Sequence, residues 1–583
     1  MRQHMRLRGA PAVALLVLSA LADAAFAPAA LADGPNAAAA AAASAQATAL
    51  PPGAEQAAAA ITERALRAPV TFLAHDLLEG RGPASRGDQL TQQFLAAQLE
   101  FMGFAPGGEN GTYLQPFDIV GITSEVPETW TFRAGGGGAQ TLDLKRWDEF
   151  IAASGVQEPA ATIGGAEVVF VGYGIQAPEY QWDDYKGMDL KGKVLLMMNN
   201  DPDWDPELFA GERRLYYGRW TYKYESAARQ GAAAAIIIHT TPSAGYPFQV
   251  VQTSWSGEQF ELPAEGEPRV QVAAWTTEDA ARALAKLGGK DLDQLREAAR
   301  GRDFRPVPLG VTTSLDLANK ISRVQTANVG GLLAGSDPEL KDEVVVYTAH
   351  HDHLGIGEPN KAGDKIYNGA LDNASGSSQV LAIAEAFKAL PQAPRRSILF
   401  LFVAAEEQGL LGSEYYAKHP TFPPGKIAAN LNFDGGNIWG RALEVAFIGY
   451  GKSSLDKVVE RYAALQDRKV VGDQFPDRGF YYRSDQFNFA KIGVPAVFLD
   501  NGTLFRGKPP EWGKQQLEAY EATNYHQPSD ELTPDWSFEG MVEDAWLGFF
   551  VGLDVAQSPE LPAWNPGDEF EAARKAALGA AGR

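Results

Sequence analysis

The 583-residue sequence contains no cysteine. That absence excludes a disulfide framework, a lipid-modified cysteine, a thiolate nucleophile and a thiolate metal ligand. Any bound metal must therefore be held by histidine, aspartate or glutamate. Basic residues are also short: 51 Lys and Arg stand against 73 Asp and Glu, a net charge of −22. A chain so acidic repels phosphate backbones and has no counterion release to drive binding, which argues against nucleic acid as a partner. Beyond the amino terminus no run is long and apolar enough to span a bilayer, so no stable membrane span is expected.

At the amino terminus, Arg2, Arg6 and Arg8 precede an apolar run, 10–22, that ends near the small-residue sites Ala25-Phe26-Ala27 and Ala30-Leu31-Ala32. This is the pattern of a secretory signal over 1–32, and Asp23 stops the run short of the roughly 20 residues that an anchor needs. The mature protein is expected to be exported, either periplasmic or secreted. Residues 33–60 are mostly alanine with scattered Pro, Gly and Gln and read as a disordered leader.

The remaining length exceeds what one hydrophobic core supports, so two domains are expected. Leu66, Val70, Leu73 and Leu77 recur at helical spacing, a second helical pattern covers 90–102, and Glu79-Gly80-Arg81-Gly82-Pro83 between them reads as a loop. The stretch 127–308 changes to short β-like runs with a single predicted helix, 224–230. It is expected to be an inserted, β-rich accessory domain. His239 ends one of its strands alone, as a satisfied or solvated histidine rather than a ligand. After Ser322 the pattern is strand, loop, helix, strand, with predicted strands at 343–349, 398–405, 427–433 and 496–499 and a helix at 375–390. The expected fold class is α/β, a doubly wound, mostly parallel sheet flanked by helices. Its domain would be discontinuous, 61–126 and 309–558, followed by a polar tail, 559–583.

Residues that suit metals sit where those strands stop. His350-His351-Asp352-His353 follows the first, Glu406-Glu407 the second and Asp434 the third. The carboxyl ends of parallel strands open on one crevice, so these side chains are brought to one place. Asp372 lies in a loop leading into a helix and His526 in a later loop. Adjacent glutamates are ordinarily a solvated helix start, and a histidine cluster is often surface decoration. Their joint placement after buried strands is what points to a site, since an unpaired carboxylate there would cost heavily. Nitrogen and oxygen donors without sulfur suit zinc, with cobalt or manganese as substitutes.

The motifs His350-His351-Asp352-His353-Leu354-Gly355, Gly369-Ala370-Leu371-Asp372-Asn373-Ala374-Ser375-Gly376, Ala405-Glu406-Glu407-Gln408-Gly409, Asn432-Phe433-Asp434 and Tyr525-His526 together resemble metallopeptidase family twenty-eight. That family comprises secreted two-zinc aminopeptidases. The resemblance implies that His350 and Asp434 hold one zinc, Glu407 and His526 the other, and Asp372 bridges both. It makes Glu406 the general base, Asp352 a support that accepts from His350, and Tyr481 a candidate oxyanion donor. Leu371 and Gln486 depart from the family pattern, at positions that are not ligands. His351 and His353 read as non-ligands. The insert is similar, more weakly, to a protease-associated domain.

The function so implied is an exported two-zinc exopeptidase, an aminopeptidase that cleaves peptides with a free amino terminus by metal-activated hydroxide. A carboxypeptidase or dipeptidase would need a cationic grip on the substrate carboxylate, for which Arg478 or Arg483 is available. A binding module would be expected to have lost Glu406 or several ligands, and none is missing. Trp439, Phe475, Phe480, Tyr481, Tyr482, Phe505 and Trp512 hint at an apolar side-chain pocket.

Overall fold

The computed structural model describes residues 51–135 and 140–582. The predicted signal sequence and most of the predicted leader lie outside the described residues. Regular structure starts earlier than the predicted boundary near Ile61: a short helix, Ala54–Ala58, buries Ala54, Ala57 and Ala58 against the helix Gly376–Ala389. The leader reading thus fails for these residues, because alanine is small enough to pack helix on helix without branched side chains.

The sheet that carries the site is built on three strands, Val344–His350, Ser397–Val403 and Ile427–Asn432, buried on both faces along their whole length. Such strands read as unbroken apolar runs, which is why they were recognisable. Val344–His350 pairs in parallel with the other two, and its register sets His350 beside Val403 and Thr348 beside Asn432. All three strands therefore end at one level. Ala496–Asn501 continues the parallel order beside Ile427–Asn432, and antiparallel pairing begins with Glu444–Ile448 at one margin and Val307–Leu333 at the other. Helices Glu63–Leu73, Gly376–Ala389 and Glu539–Gln557 pack together, as do Leu411–Lys418 and Gln486–Lys491.

The 27-residue strand Val307–Leu333 links the two halves of the chain. Its first part pairs with the insert strands Thr129–Ala134 and Ala160–Phe170, its second with Leu114–Glu125 and Ser397–Val403. The insert holds more helix than its β-like texture suggested. Ala160–Phe170, Val194–Met198, Ala234–His239 and Val272–Thr277 form a parallel array, against which Trp220–Arg229 and Glu278–Leu287 pack. Thr277 caps the latter helix by accepting from Ala280 N.

The carboxyl-terminal stretch, read in the sequence as a polar tail, is also part of the packing. Trp564 and Phe570 are buried, Trp564 Nε1 donates to the Gly493 carbonyl, and helix Glu571–Ala580 places Arg574 against the Ile427 carbonyl. Two aromatic side chains outweigh the polar composition around them.

Candidate active site

His350 is the last residue of its strand and fully buried. Its Nε2 lies 3.1 Å from Asp372 Oδ1 and 3.3 Å from Asp434 Oδ1. His526 Nε2 lies 3.3 Å from the other oxygen, Asp372 Oδ2, and 3.0 Å from Glu407 Oε2. Asp372 therefore offers one oxygen to each of two imidazole and carboxylate groups. The five side chains picked out in the sequence meet at one place.

Each is fixed by its own local structure. The main-chain N–H groups of Leu371 and Asp372 donate to the buried Asp530 carboxylate, and Asn373 Oδ1 accepts from Gly376 N and Gly435 N while its amide donates to the Phe433 carbonyl. Asn373 so ties the Asp372 loop to the Asp434 loop. Asp352 is fully buried and accepts from Glu406 N at 3.0 Å. Its contact with His350 differs from the expectation: ring Nδ1 is 3.2 Å from the Asp352 carbonyl oxygen, and 3.7 Å from the carboxylate. The main chain orients the ring, and the carboxylate orients Glu406.

His351 turns away, with Nε2 3.0 Å from Asp88. His353 does not. Its Nδ1 is 2.6 Å from Glu407 Oε1, and with Asp372 and Glu407 it forms a further group able to hold an ion. The sequence reading set it aside because four metal-type residues in a row cannot all face one centre, yet the strand ends at His350, and in the irregular chain beyond it His351 faces Asp88 while His353 turns to Glu407.

Tyr481 is misplaced by the sequence reading. It is buried against Phe570, with Lys452 Nζ over its ring, and does not line the cleft beside the metal-type residues. Phe480, Arg483 and Tyr525 do. The expectation failed because Phe570, assigned to a tail, draws Tyr481 into the core. Of the other aromatic candidates, Trp439 and Phe480 line the cleft, together with Leu371, Phe498 and Leu517, in a chamber of about 140 Å³.

Arg81 and Asp530 were not singled out. Arg81 Nε and its two terminal nitrogens donate to the carbonyls of His351, Leu73, Asn368 and Gly369, so a residue of a predicted loop anchors two of the site's segments. A glycine-flanked arginine is a weak signal of such a role.

The cluster suits divalent cations. Glu407 Oε1 and His526 Nε2 are buried and close no well-aligned hydrogen bond with the groups facing them, and all donors are oxygen or imidazole nitrogen. The electrostatics agree. Burial pushes the Glu406 carboxyl well above the usual range; His350 opposes this, and Asp434 and Glu407 add to it. Burial would lower His526, but Glu407 and Asp372 carry it up to about 10. Negative charge crowded into a buried space attracts a cation.

Residues 328–550 match the model of peptidase family M28. Among curated relatives, probable leucine aminopeptidase 2 of Aspergillus oryzae is 32% identical over 321 residues, covering 53% of this chain and 54% of that protein. Aminopeptidase YwaD of Bacillus subtilis is 34% identical over 355 residues, covering 59% and 58%. The chain thus spans somewhat over half the length of these relatives. The solved aminopeptidase from Aneurinibacillus sp. strain AM-1 shares the fold, at a TM-score of 0.51 and 18% identity, with 88% of this chain and 97% of that one covered. The sequence motifs are thus gathered into one cluster inside the segment, 328–550, that matches peptidase family M28.

Proposed function

We propose that the protein is an exported aminopeptidase that holds two zinc ions, one between His350, Asp372 and Asp434 and the other between Asp372, Glu407 and His526. The observation that carries this reading is Asp372, whose two oxygens face separate histidines at 3.1 and 3.3 Å. Zinc held there supplies Lewis acidity toward water and a peptide carbonyl. Cobalt or manganese fits the same donors.

The remaining work falls to the chain itself. Glu406 lines the cleft, and Asp352 fixes its main chain. It takes a proton from the attacking water and delivers it to the departing amine, which restores the carboxylate. The substrate's α-ammonium is drawn to the carboxylates of Asp372, Glu406 and Asp434 at the cleft wall, and its first side chain enters the chamber formed by Leu371, Trp439, Phe480, Phe498 and Leu517. The arginine-flanked apolar run at 10–22 supports export. The insert is assigned the role of a protease-associated-like module that completes one wall of the cleft through Gly245 and Tyr246.

A panel of free and amino-blocked aminoacyl amides, with metal content measured on the same sample, tests the reading. Cleavage confined to unblocked substrates, with two zinc ions per chain, is the expected result. Cleavage of blocked substrates would replace the aminopeptidase by another peptidase class.

A further inference from the structure

The cleft has a second chamber, of about 90 Å³, on the side of Glu407 and His526. Glu406, Arg483, Tyr246 and Tyr525 line both chambers, so the two meet at the proposed base. A substrate whose scissile bond lies at Glu406 and whose first side chain fills the apolar chamber extends its leaving residue into the second.

That second chamber is walled by two guanidinium groups, Arg219 from the insert and Arg483 from the catalytic half. They differ from the arginines that are matched by acceptors nearby. Arg396 pairs with Glu343, Arg468 with Asp544 and Arg478 with Glu521, and Arg81 is saturated by carbonyls. Among the described residues, Arg219 makes no side-chain hydrogen bond or ion pair, and its buried Nε is without a partner. Arg483 meets only the Tyr525 hydroxyl at 3.3 Å and the faces of Tyr246 and Phe480. Burial, then the neighbouring Arg483, lowers Arg219 to about 10, so it stays charged at neutral pH. Glu406 and Glu407 line the same chamber, yet among the described residues neither guanidinium closes an ion pair, so both keep N–H donors free for an anion bound between them. The catalytic cluster beside them is rich in carboxylates and would repel an acidic ligand, so the pair supplies the local positive field that such a ligand needs.

The geometry points to a carboxylate-binding subsite, formed by Arg219 and Arg483, for the residue released from the carboxyl side of the cleaved bond. This rests on the peptidase reading and narrows its substrate class to short peptides in which that residue carries a free carboxylate. The chamber is smaller than the ~150 Å³ that admits a benzene ring, so a small leaving residue fits better than an extended chain. The carboxylate comes from the free carboxyl terminus of a dipeptide or from an acidic side chain, and the two are separable by experiment.

The test compares kcat/KM of the zinc-loaded full chain on Leu-Ala, Leu-Ala amide, Leu-Glu amide and Leu-Gln amide. Leu-Ala is expected to exceed its amide at least tenfold, as a charge-assisted bidentate contact implies. An excess of Leu-Glu amide over Leu-Gln amide instead would identify the acidic side chain as the source. In Arg219→Gln the preference for carboxylate over amide should fall to near one, and Arg219→Lys should recover part of it. Equal turnover of carboxylates and amides by the wild type, or a preference untouched in both Arg219→Gln and Arg483→Gln, would overturn the subsite. Calorimetric titration of the zinc-loaded Glu406→Gln variant with Leu-Ala and with its amide gives the same comparison without turnover. If the wild type cleaves none of the four while this variant binds Leu-Ala tenfold tighter than the amide, the peptidase reading falls and the carboxylate subsite stands.

Discussion

Ser254 Oγ lies 2.7 Å from Nδ1 of His526. Ser254 ends the insert helix Phe248–Ser254, whereas His526 belongs to the loop after helix Trp512–Thr523, and Gln249 of the insert helix donates to Gln527 Oε1 at 2.8 Å. The insert thus holds the ring that presents Nε2 to Asp372 and Glu407. For Nε2 to offer a lone pair, Nδ1 must carry the proton and donate to Ser254, an arrangement that fixes tautomer and ring orientation together. Ser254→Ala is expected to weaken zinc binding about 10- to 100-fold, read by competition with a chromophoric chelator, while circular dichroism stays unchanged. Unaltered zinc affinity would remove the insert from metal retention.

Glu406→Gln separates base from ligand. Glutamine keeps the shape and the main-chain bond from residue 406 to Asp352, but it cannot accept the proton of the attacking water. Two zinc ions should remain, measured by elemental analysis, while turnover of an unblocked aminoacyl amide falls by about 10²- to 10⁴-fold. Loss of one metal along with activity would make Glu406 a ligand instead.

How much of this was legible follows from what each pattern reports. Val344–His350 and Ser397–Val403 announced themselves because strands buried on both faces are continuous apolar runs, and the polar residues just after them had one crevice to face. Periodicity describes the burial of its own segment and not which distant segment covers it. Phe570 therefore reads as tail while it packs on Tyr481, and nothing in the sequence around Ser254 marks it as the residue that touches His526. Arg81 sits where turn chemistry dominates, at φ 53°, and nothing local shows that its side chain reaches carbonyls 270 to 288 residues away.

Arg81 makes a prediction about folding. Its guanidinium is buried, and burial lowers it to about 10 although Asp352, Asp530 and Asp372 pull the other way, so it remains charged at neutral pH. Arg81→Met would leave four buried carbonyls without this donor. A loss of roughly 3–5 kcal/mol is expected, measured by urea denaturation. Arg81→Lys should restore little of it, since an ammonium cannot match the planar fork that spans four acceptors. Full stability in either variant would show that the carbonyls find other donors.

His239 makes a prediction about pH that lies away from the metal cluster. The side chain is 5% exposed, its Nε2 is 3.1 Å from the Tyr246 carbonyl, and Phe248 and Trp275 surround the ring. Burial lowers it from 6.5 to about 4, against the raising effect of that carbonyl. Above pH 6.5 the imidazole is neutral in both folded and unfolded chains and adds no pH dependence. Between 6.5 and about 4 only the unfolded chain takes the proton, so stability is lost as pH falls through that window. The loss reaches ~2.5 kcal/mol at pH 4.5 by linkage. His239→Gln removes the titration, and the difference in unfolding free energy between pH 7 and pH 4.5 should shrink by that amount relative to the wild type. Both proteins are compared in chelator, so that acid release of metal contributes to neither. Equal pH dependence in the two would mean that the ring becomes protonated inside the fold, with a cavity or water at Tyr246 to receive it.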